Sequence, residues 1–258
     1  MSTLRQIDIS HRGLTLYGAF YPADRSPMGS VMLVHGFSGN RIGPGRLLSD
    51  FARRLQAEGF AVFAFDRAGH GESEGAFADI SVPDEIDQLS AMLDYAQGPS
   101  RAQVHLAGHS LGAMEAACLA ARRPSDIASL HLWAPAANFA DEIRAGHIRG
   151  RSLAPLDAGR TFDFNGQALG AAFREAALDF DPLEGSDRIS CPVTLHHGSE
   201  DAIVPPSVSE TYLMRIPQAV RRLYPMADHA FAQVGQRGML HDATLGAILG
   251  AARERQAA

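Results

Sequence analysis

The sequence predicts an α/β protein with a mostly parallel central sheet and helices on both faces. Short continuous apolar runs, typical of buried strands, alternate with amphipathic stretches of helical length. Turn residues separate the two kinds of segment. Because strands that alternate with helices are joined by crossover connections, this order favours a parallel sheet covered on both faces.

The individual segments support this reading in chain order. An alternating run at 14–21 predicts an early, partly exposed strand, and apolar runs predict further strands at 30–36, 60–66, 102–108, 127–135, 191–198 and 219–225. Helical spacing of apolar residues predicts helices at 45–59, 84–98, 111–123, 207–216 and about 239–254.

One stretch, about 136–190, interrupts the alternation. It contains no convincing strand and is rich in Gly, Arg and Asp. A structureless loop of that length inside a compact domain would be unusual. We therefore expect a single domain over residues 1–258 with a cap inserted at about 136–190, over the edge of the sheet where ligands of such folds bind.

The composition narrows the class of protein. The chain has 258 residues, of which 46% are hydrophobic and 20% charged, as in an ordinary globular protein. Its formal net charge is −6 and its basic residues are scattered, which argues against nucleic-acid binding. No segment has the pattern of a signal peptide or a membrane span, so a cytoplasmic location is the default expectation. Cys118 and Cys191 lie in apolar contexts and are expected to be buried free thiols.

Two segments match Gly-x-Ser-x-Gly, a pattern that marks the nucleophile of many serine hydrolases. "GHSLG" (108–112) follows a predicted strand and opens a predicted helix, which is the strand–turn–helix context that a nucleophile requires. "GESEG" (71–75) lies several residues beyond its strand and places glutamates beside its serine, and the stretch after it is a poor helix start because Pro83 interrupts it. Since carboxylates would oppose a developing oxyanion, we predict Ser110 as the nucleophile and Ser73 as a loop residue.

A serine nucleophile needs a base and an acid that orients the base. Asp201 follows the predicted strand 191–198, and His229 follows the predicted strand 219–225. Both therefore fall at the sheet edge where Ser110 is expected, in the chain order Ser, Asp, His. Glu200 is the alternative acid, whereas His241 is expected on the surface of the last helix.

An oxyanion hole needs two backbone donors. The N–H of Leu111 follows the nucleophile at the start of a helix. The segment "HGFSGN" (35–40) follows the strand at 30–36, and it makes the N–H of Phe37 the natural second donor. His35 in this turn is expected to have a structural role.

Together, "HGFSGN", "DRAGHGESEG", "GHSLG", "GSEDAIVP" and "ADHAF" resemble the α/β-hydrolase superfamily over nearly the whole chain. The resemblance implies that fold and the roles given above to Ser110, Asp201, His229, Phe37 and Leu111. More narrowly, the chain resembles the cinnamoyl or feruloyl esterase branch, through "HGFSGN", "GHGESEG", "WAPAA" and an insertion of similar length before "CPVTLHHGSED".

In that branch the insertion covers the acyl pocket, and an acidic residue in it holds a phenolic hydroxyl. Asp141 or Glu142 could be that group here. The chain departs from the branch at Leu111, where a Gln often follows the nucleophile.

The expected activity is hydrolysis of small or aromatic carboxylic esters through an acyl-enzyme. A thioesterase, a lactonase or a carbon–carbon bond hydrolase would use the same three residues, and a non-catalytic binding protein of the same fold is the alternative from another class. The chemistry calls for no cofactor and no metal. A small-molecule ester is the expected partner, with neither nucleic acid nor membrane, and a homodimer is left open.

Overall fold

The computed structural model describes residues 3–24 and 26–257. The strands of this part of the chain are β1 (Arg5–His11), β2 (Leu14–Tyr21), β3 (Ser30–Val34), β4 (Ala61–Phe65), β5 (Val104–His109), β6 (Ile127–Trp133), β7 (His147–Ile148), β8 (Arg151–Ser152), β9 (Phe162–Phe164), β10 (Gln167–Leu169), β11 (Val193–Gly198) and β12 (Ala219–Tyr224). The helices are α1 (Leu47–Ala57), α2 (Val82–Gln97), α3 (Leu111–Arg122), α4 (Phe139–Arg144), α5 (Ala154–Asp157), α6 (Ala171–Leu178), α7 (Val208–Arg215) and α8 (Val234–Ala257).

Within the described residues, eight strands form one twisted sheet in the order β1-β2-β4-β3-β5-β6-β11-β12. β1 and β2 pair with each other, and β2 pairs with β4, in antiparallel fashion. From β4 to β12 all neighbours are parallel. The predicted fold class is confirmed, and the carboxyl ends of the parallel strands share one edge of the sheet.

The sheet is buried on both faces because its central strands are apolar on both. In β3, Met32 and Val34 pack into a core that also holds side chains of α2 and α3. Val31 and Leu33, which point to the other face, pack into a second core with α1 and α8. Since successive side chains of a strand point to opposite faces, a continuous apolar run is what a strand between two layers requires.

The segment between β6 and β11 contains α4, α5, α6 and two small antiparallel hairpins, β7–β8 and β9–β10. These elements share a third apolar cluster, which includes Phe139, Phe164 and Phe173 and reaches Leu111 and Met114 of α3. The segment therefore packs over the helix that follows Ser110. The expectation that it lacks strands was wrong, because strands of two or three residues are too short to show an alternating pattern.

Other differences lie at element boundaries. β1, at the edge of the sheet, was missed because most of its residues are exposed or half-buried. Pro83 does not interrupt α2 but lies in its first turn, where a missing N–H costs nothing. No helix in 3–24 or 26–257 combines the length and apolar character needed to span a membrane.

Candidate active site

Ser110 lies in the turn between β5 and α3, with φ 60° and ψ −125°. This conformation is strained for a residue with a side chain. The flanking glycines allow it: a Cβ on Gly108 would lie 2.5 Å from the carbonyl oxygen of Gly112, and a Cβ on Gly112 would lie 2.0 Å from that of His35. The sharp turn holds the Ser110 hydroxyl clear of the sheet edge.

Three predicted side chains meet at that edge. The Ser110 hydroxyl lies 2.8 Å from Nε2 of His229 and can donate to it. On the other side of the ring, Nδ1–H of His229 donates to Oδ2 of Asp201 at 2.7 Å. This is the geometry of a nucleophile, a general base and an acid that fixes the tautomer of the base.

Asp201 is buried and richly hydrogen-bonded. The backbone N–H groups of Ile203 and Val204 donate to its Oδ1 at 2.9 and 2.8 Å, and Nε2 of His197 lies 3.2 Å from its Oδ2. Burial alone would raise the pKa of this carboxyl, but the hydrogen bonds from His197 and His229 outweigh it and hold the pKa well below its usual range. Asp201 is therefore an anion facing the His229 ring.

His109 supports the loop that carries His229, a contact that the sequence did not predict. Its Nε2–H donates to the backbone carbonyl of His229 at 2.8 Å, and the two rings lie 4.9 Å apart. Burial and the neighbouring His229 lower the pKa of His109 to about 3, so it stays neutral. The pattern "GHSLG" places a histidine there, but only the fold shows which group it contacts.

The segment after β3 lies directly against Ser110. A Cβ on Gly36 would lie 3.0 Å from Cβ of Ser110. Phe37 and Leu111, the two predicted oxyanion donors, line one cavity together with Ser110. Leu111 is also the first residue of α3, so its N–H belongs to the positive end of the helix.

Two cavities flank Ser110. The first, called here the apolar cavity, encloses about 430 Å³ including its mouth; its walls include Phe37, Leu111, Phe139, Ile148, Phe173 and Val204. The second, called here the polar cavity, measures about 820 Å³ including the solvent at its open side; its walls include His35, Ser38, Asn40, His109, Arg149 and His229. Ser110 and Phe37 line both cavities, whereas His229 lines the polar one.

The two acidic residues proposed for substrate binding lie in different places. Glu142 lines the apolar cavity, where it accepts hydrogen bonds from Nδ2 of Asn138 at 3.2 Å and from the N–H of Arg149 at 2.8 Å. The Asp141 side chain is 82% exposed, is paired with Arg144 and lines a separate surface cavity. Of the two, the structure brings Glu142 to the site and leaves Asp141 outside it.

The remaining candidates have structural positions. Ser73 donates to the carbonyl of Asp66 at 2.6 Å and accepts from the N–H of Tyr17 at 2.9 Å, so it ties a loop to β2. Glu200, the alternative acid, is exposed. The expectation for His241 was wrong: it is 3% exposed and its Nε2 donates to the Leu47 carbonyl at 3.1 Å, because α8 packs this face against α1.

The fold and the arrangement at the sheet edge define an α/β-hydrolase. A ferulic acid complex of Est1E from Butyrivibrio proteoclasticus superposes with a TM-score of 0.87 over 95% of this chain and 98% of that one, at 23% identity. A monoacylglycerol lipase from Paleococcus ferrophilus gives a TM-score of 0.71 over 92% and 99% of the two chains, also at 23% identity. At these identities the likeness establishes the fold.

Residues 25–156, just over half of the chain, match the family model described as serine aminopeptidase, S33, and the chain belongs to that family. It is 30% identical over 221 residues to a pimeloyl-[acyl-carrier protein] methyl ester esterase of Neisseria meningitidis serogroup B. This alignment covers 72% of this chain and 79% of the esterase. It is thus related to the esterases and lipases among the α/β-hydrolases.

Proposed function

We propose that the protein is a serine carboxylic-ester hydrolase with Ser110 as nucleophile, His229 as general base and acid, and Asp201 as the acid that orients His229. The observation that carries the proposal is the continuous pair of hydrogen bonds, 2.8 Å from Ser110 to His229 and 2.7 Å from His229 to Asp201. A serine hydroxyl becomes an effective nucleophile when such a base removes its proton.

In the proposed reaction, Oγ of Ser110 attacks the ester carbonyl carbon while its proton passes to Nε2 of His229. The backbone N–H groups of Phe37 and Leu111 stabilise the oxyanion, and a donor of this kind typically contributes about 2.7–4 kcal/mol. The C–O bond to the alcohol then breaks, and His229 returns the proton to the leaving oxygen. Water, activated by His229, hydrolyses the acyl-enzyme and regenerates the Ser110 hydroxyl.

The two cavities divide the substrate between them. Because His229 protonates the leaving alcohol, the alcohol must lie on the side that His229 lines, which is the polar cavity. The acyl group then occupies the apolar cavity, whose aromatic walls suit a small or aromatic acyl chain. Glu142 in that cavity is proposed to accept a hydrogen bond from a hydroxyl on the acyl group, as in a hydroxycinnamoyl ester.

The test is hydrolysis by the Ser110→Ala variant, with folding checked by circular dichroism. We expect p-nitrophenyl acetate hydrolysis to fall by at least about 10³-fold, since the nucleophile is lost. Covalent labelling by a fluorophosphonate should occur at Ser110 in the wild-type protein and disappear in the variant. A folded variant that hydrolyses the ester at the wild-type rate would refute the assignment.

A substrate panel tests the acyl preference. Methyl ferulate, p-nitrophenyl esters of increasing chain length, a matched thioester and a lactone would be compared by kcat/KM. We expect aromatic or short acyl esters to lead, because the apolar cavity is small. A strong preference for the thioester or the lactone would reassign the substrate while leaving the roles of the three residues in place.

A further inference from the structure

The peptide group between Gly36 and Phe37 is fixed by three hydrogen-bond donors on its carbonyl side. Its carbonyl oxygen accepts hydrogen bonds from Nδ1–H of His35 at 2.9 Å, from the N–H of Gly39 at 3.1 Å and from Nη2–H of Arg67 at 3.3 Å. The N–H of this same peptide group belongs to Phe37, the proposed oxyanion donor. Whatever fixes the carbonyl therefore fixes the direction of that N–H.

Arg67 is fully buried behind this peptide. Its Nε–H donates to Oε1 of Glu85 at 2.7 Å, and its Nη1 donates to the carbonyl of His35 at 2.8 Å and lies 2.9 Å from Oε2 of Glu115. The side chains of Arg67, Glu85 and Glu115 are all 0% exposed, and burial together with the neighbouring Glu85 raises the pKa of Glu115 well above its usual value. Burying a guanidinium is costly unless it is paired and hydrogen-bonded. Here the two carboxyl side chains pair with it, and the remaining donors point at two carbonyls of the turn.

The main chain of Arg67 acts on the same peptide through His35. The Arg67 N–H donates to Nε2 of His35 at 3.2 Å, so the imidazole proton must be on Nδ1, the atom that donates to the Gly36 carbonyl. Burial and the nearby Arg67 charge lower the pKa of His35 well below its usual value, so the ring is neutral and keeps this tautomer.

We propose that Arg67 is a positioning residue of the oxyanion hole, acting on the transition state through the Gly36–Phe37 peptide. A cation and two further donors at the carbonyl oxygen draw electron density from the peptide and make its N–H a stronger donor, since hydrogen bonds in series reinforce one another at low dielectric. They also hold the N–H in place before the oxyanion forms, which is what electrostatic stabilisation of a transition state requires.

The inference rests on the proposed function, and its test compares kcat, KM and inhibitor binding in three variants. Arg67→Lys keeps the charge but loses the planar fork that reaches both carbonyls and both carboxyls. The triple variant Arg67→Met with Glu85→Met and Glu115→Met removes the whole buried cluster as a unit, a replacement that often leaves stability intact. Arg123→Lys is the matched control. Arg123 is also mostly buried, with 17% of its side chain exposed, and it contacts Asp94, Asp126 and the carbonyl of Ser90. It lies between α3 and β6, however, at the amino ends of the parallel strands and away from Ser110.

For both Arg67 variants we expect kcat for a p-nitrophenyl ester to fall about tenfold or more, with KM within about twofold of wild type. The inhibition constant of a trifluoromethyl ketone, whose hemiketal oxyanion occupies the hole, should rise by a similar factor, while affinity for the product carboxylic acid stays the same. Rates are divided by the fraction of sites that a fluorophosphonate labels, so that loss of folded protein is not counted. Arg123→Lys should change none of these values.

If either folded Arg67 variant retained wild-type kcat and trifluoromethyl ketone affinity per labelled site, the inference would be wrong and Arg67 would serve stability alone. Ser110→Ala, measured beside them, distinguishes failure of the positioning role of Arg67 from failure of the proposed function. If Ser110→Ala kept its activity, the proposed function itself would be refuted. If Ser110→Ala lost its activity while the Arg67 variants behaved like the wild type, only the positioning role would be refuted.

Discussion

The two peptides proposed to form the oxyanion hole are held in different ways. The carbonyl of Ser110, on the peptide that carries the Leu111 N–H, accepts from the N–H groups of Ala113, Met114 and Ala136 at 3.0, 3.2 and 3.2 Å. Its donors all come from the main chain, two of them from the first turn of α3. The carbonyl of Gly36 accepts instead from two side chains, those of His35 and Arg67, and from one main-chain N–H.

The difference shows two routes to the same rigidity. A helix supplies aligned N–H groups at its first turn as a consequence of its geometry, so the Leu111 half follows from local folding. The Phe37 half of the hole follows β3, and no α-helix begins directly after it, since α1 begins only at Leu47. The Gly36 carbonyl has two local donors, His35 and Gly39, and a third from the loop after β4, Arg67, which brings a charged group into the core.

The largest effect is expected where the two halves touch, at Gly112. A Cβ there would lie 2.0 Å from the His35 carbonyl oxygen, so Gly112→Ala must push the turn of one half away from the helix of the other. Displacements near 1 Å can cost about 100-fold in rate, and we expect at least that loss in kcat/KM.

The control for this change is Gly246→Ala, also a glycine in a helix. Its added Cβ would meet nothing within 4 Å, so activity should be unchanged and stability should rise by about 0.5–1 kcal/mol. Thermal denaturation and kcat/KM of both variants test the pair. A Gly112→Ala protein with wild-type kcat/KM would show that the two halves are not in contact as described.

A smaller effect is expected from acid, which should act on buried imidazoles beside the site and elsewhere in the core. His35 and His109 are buried and neutral, and burial likewise lowers the pKa of His105 to about 4 and of His196 to about 3. The unfolded chain protonates these imidazoles near pH 6.5, whereas in the folded chain His105 is protonated only near pH 4 and His109 and His196 only near pH 3. The free energy of unfolding should therefore fall as the pH drops from 6.5 towards 4, by about 2 kcal/mol for each such imidazole at pH 5.

Urea denaturation at pH 7.5 and pH 5 measures this difference. His105→Gln removes one of these imidazoles at the far end of β5, where His105 contacts Ser129 and not the site. In that variant the loss of stability between the two pH values should shrink by about 2 kcal/mol. An equal loss in both proteins would mean that His105 does not stay neutral in the fold.

The smallest effect is expected from the side chain of Phe37 itself. The proposed donor is its backbone N–H, while its ring packs on Phe77, Phe164 and Phe173 with centroids 4.8–5.4 Å apart. Phe37→Leu should therefore raise KM for aromatic acyl esters a few-fold and destabilise the protein by about 1 kcal/mol. Its effect on kcat should be smaller than that of Arg67→Lys, although Arg67 lines neither cavity. Steady-state kinetics of the two variants side by side decide the order.

Much of the site could be predicted because its parts follow strands directly. Ser110, Asp201 and His229 each come within five residues of the end of a parallel strand, and such strands deliver their ends to one edge. The same reasoning placed Phe37 beside Ser110. It failed for the inserted segment, where it could not choose between Asp141 and Glu142, because both lie on α4 and the side of this helix that faces the cavity depends on its packing against α6.

It also failed where a residue's surroundings come from distant elements. His241 has the sequence context of a surface residue, yet α8 packs it against α1, about 190 residues earlier in the chain. Nothing in the segment "DRAGHG" shows that the arginine lies behind the Gly36–Phe37 peptide. Glu85 and Glu115 lie on α2 and α3, and only their packing brings them to one guanidinium.

The order of strands and helices, the nucleophile turn and the chain order of the three proposed catalytic residues are thus set by local patterns: apolar periodicity, glycine spacing and short distances along the chain. The walls of the apolar cavity, the position of Glu142 and the contact of Arg67 with the Gly36 carbonyl are set by packing between elements far apart in sequence. Local propensities are short-ranged and can be read residue by residue. The burial of a cation such as Arg67 depends on partners from several elements at once, and it exists only when the whole fold is formed.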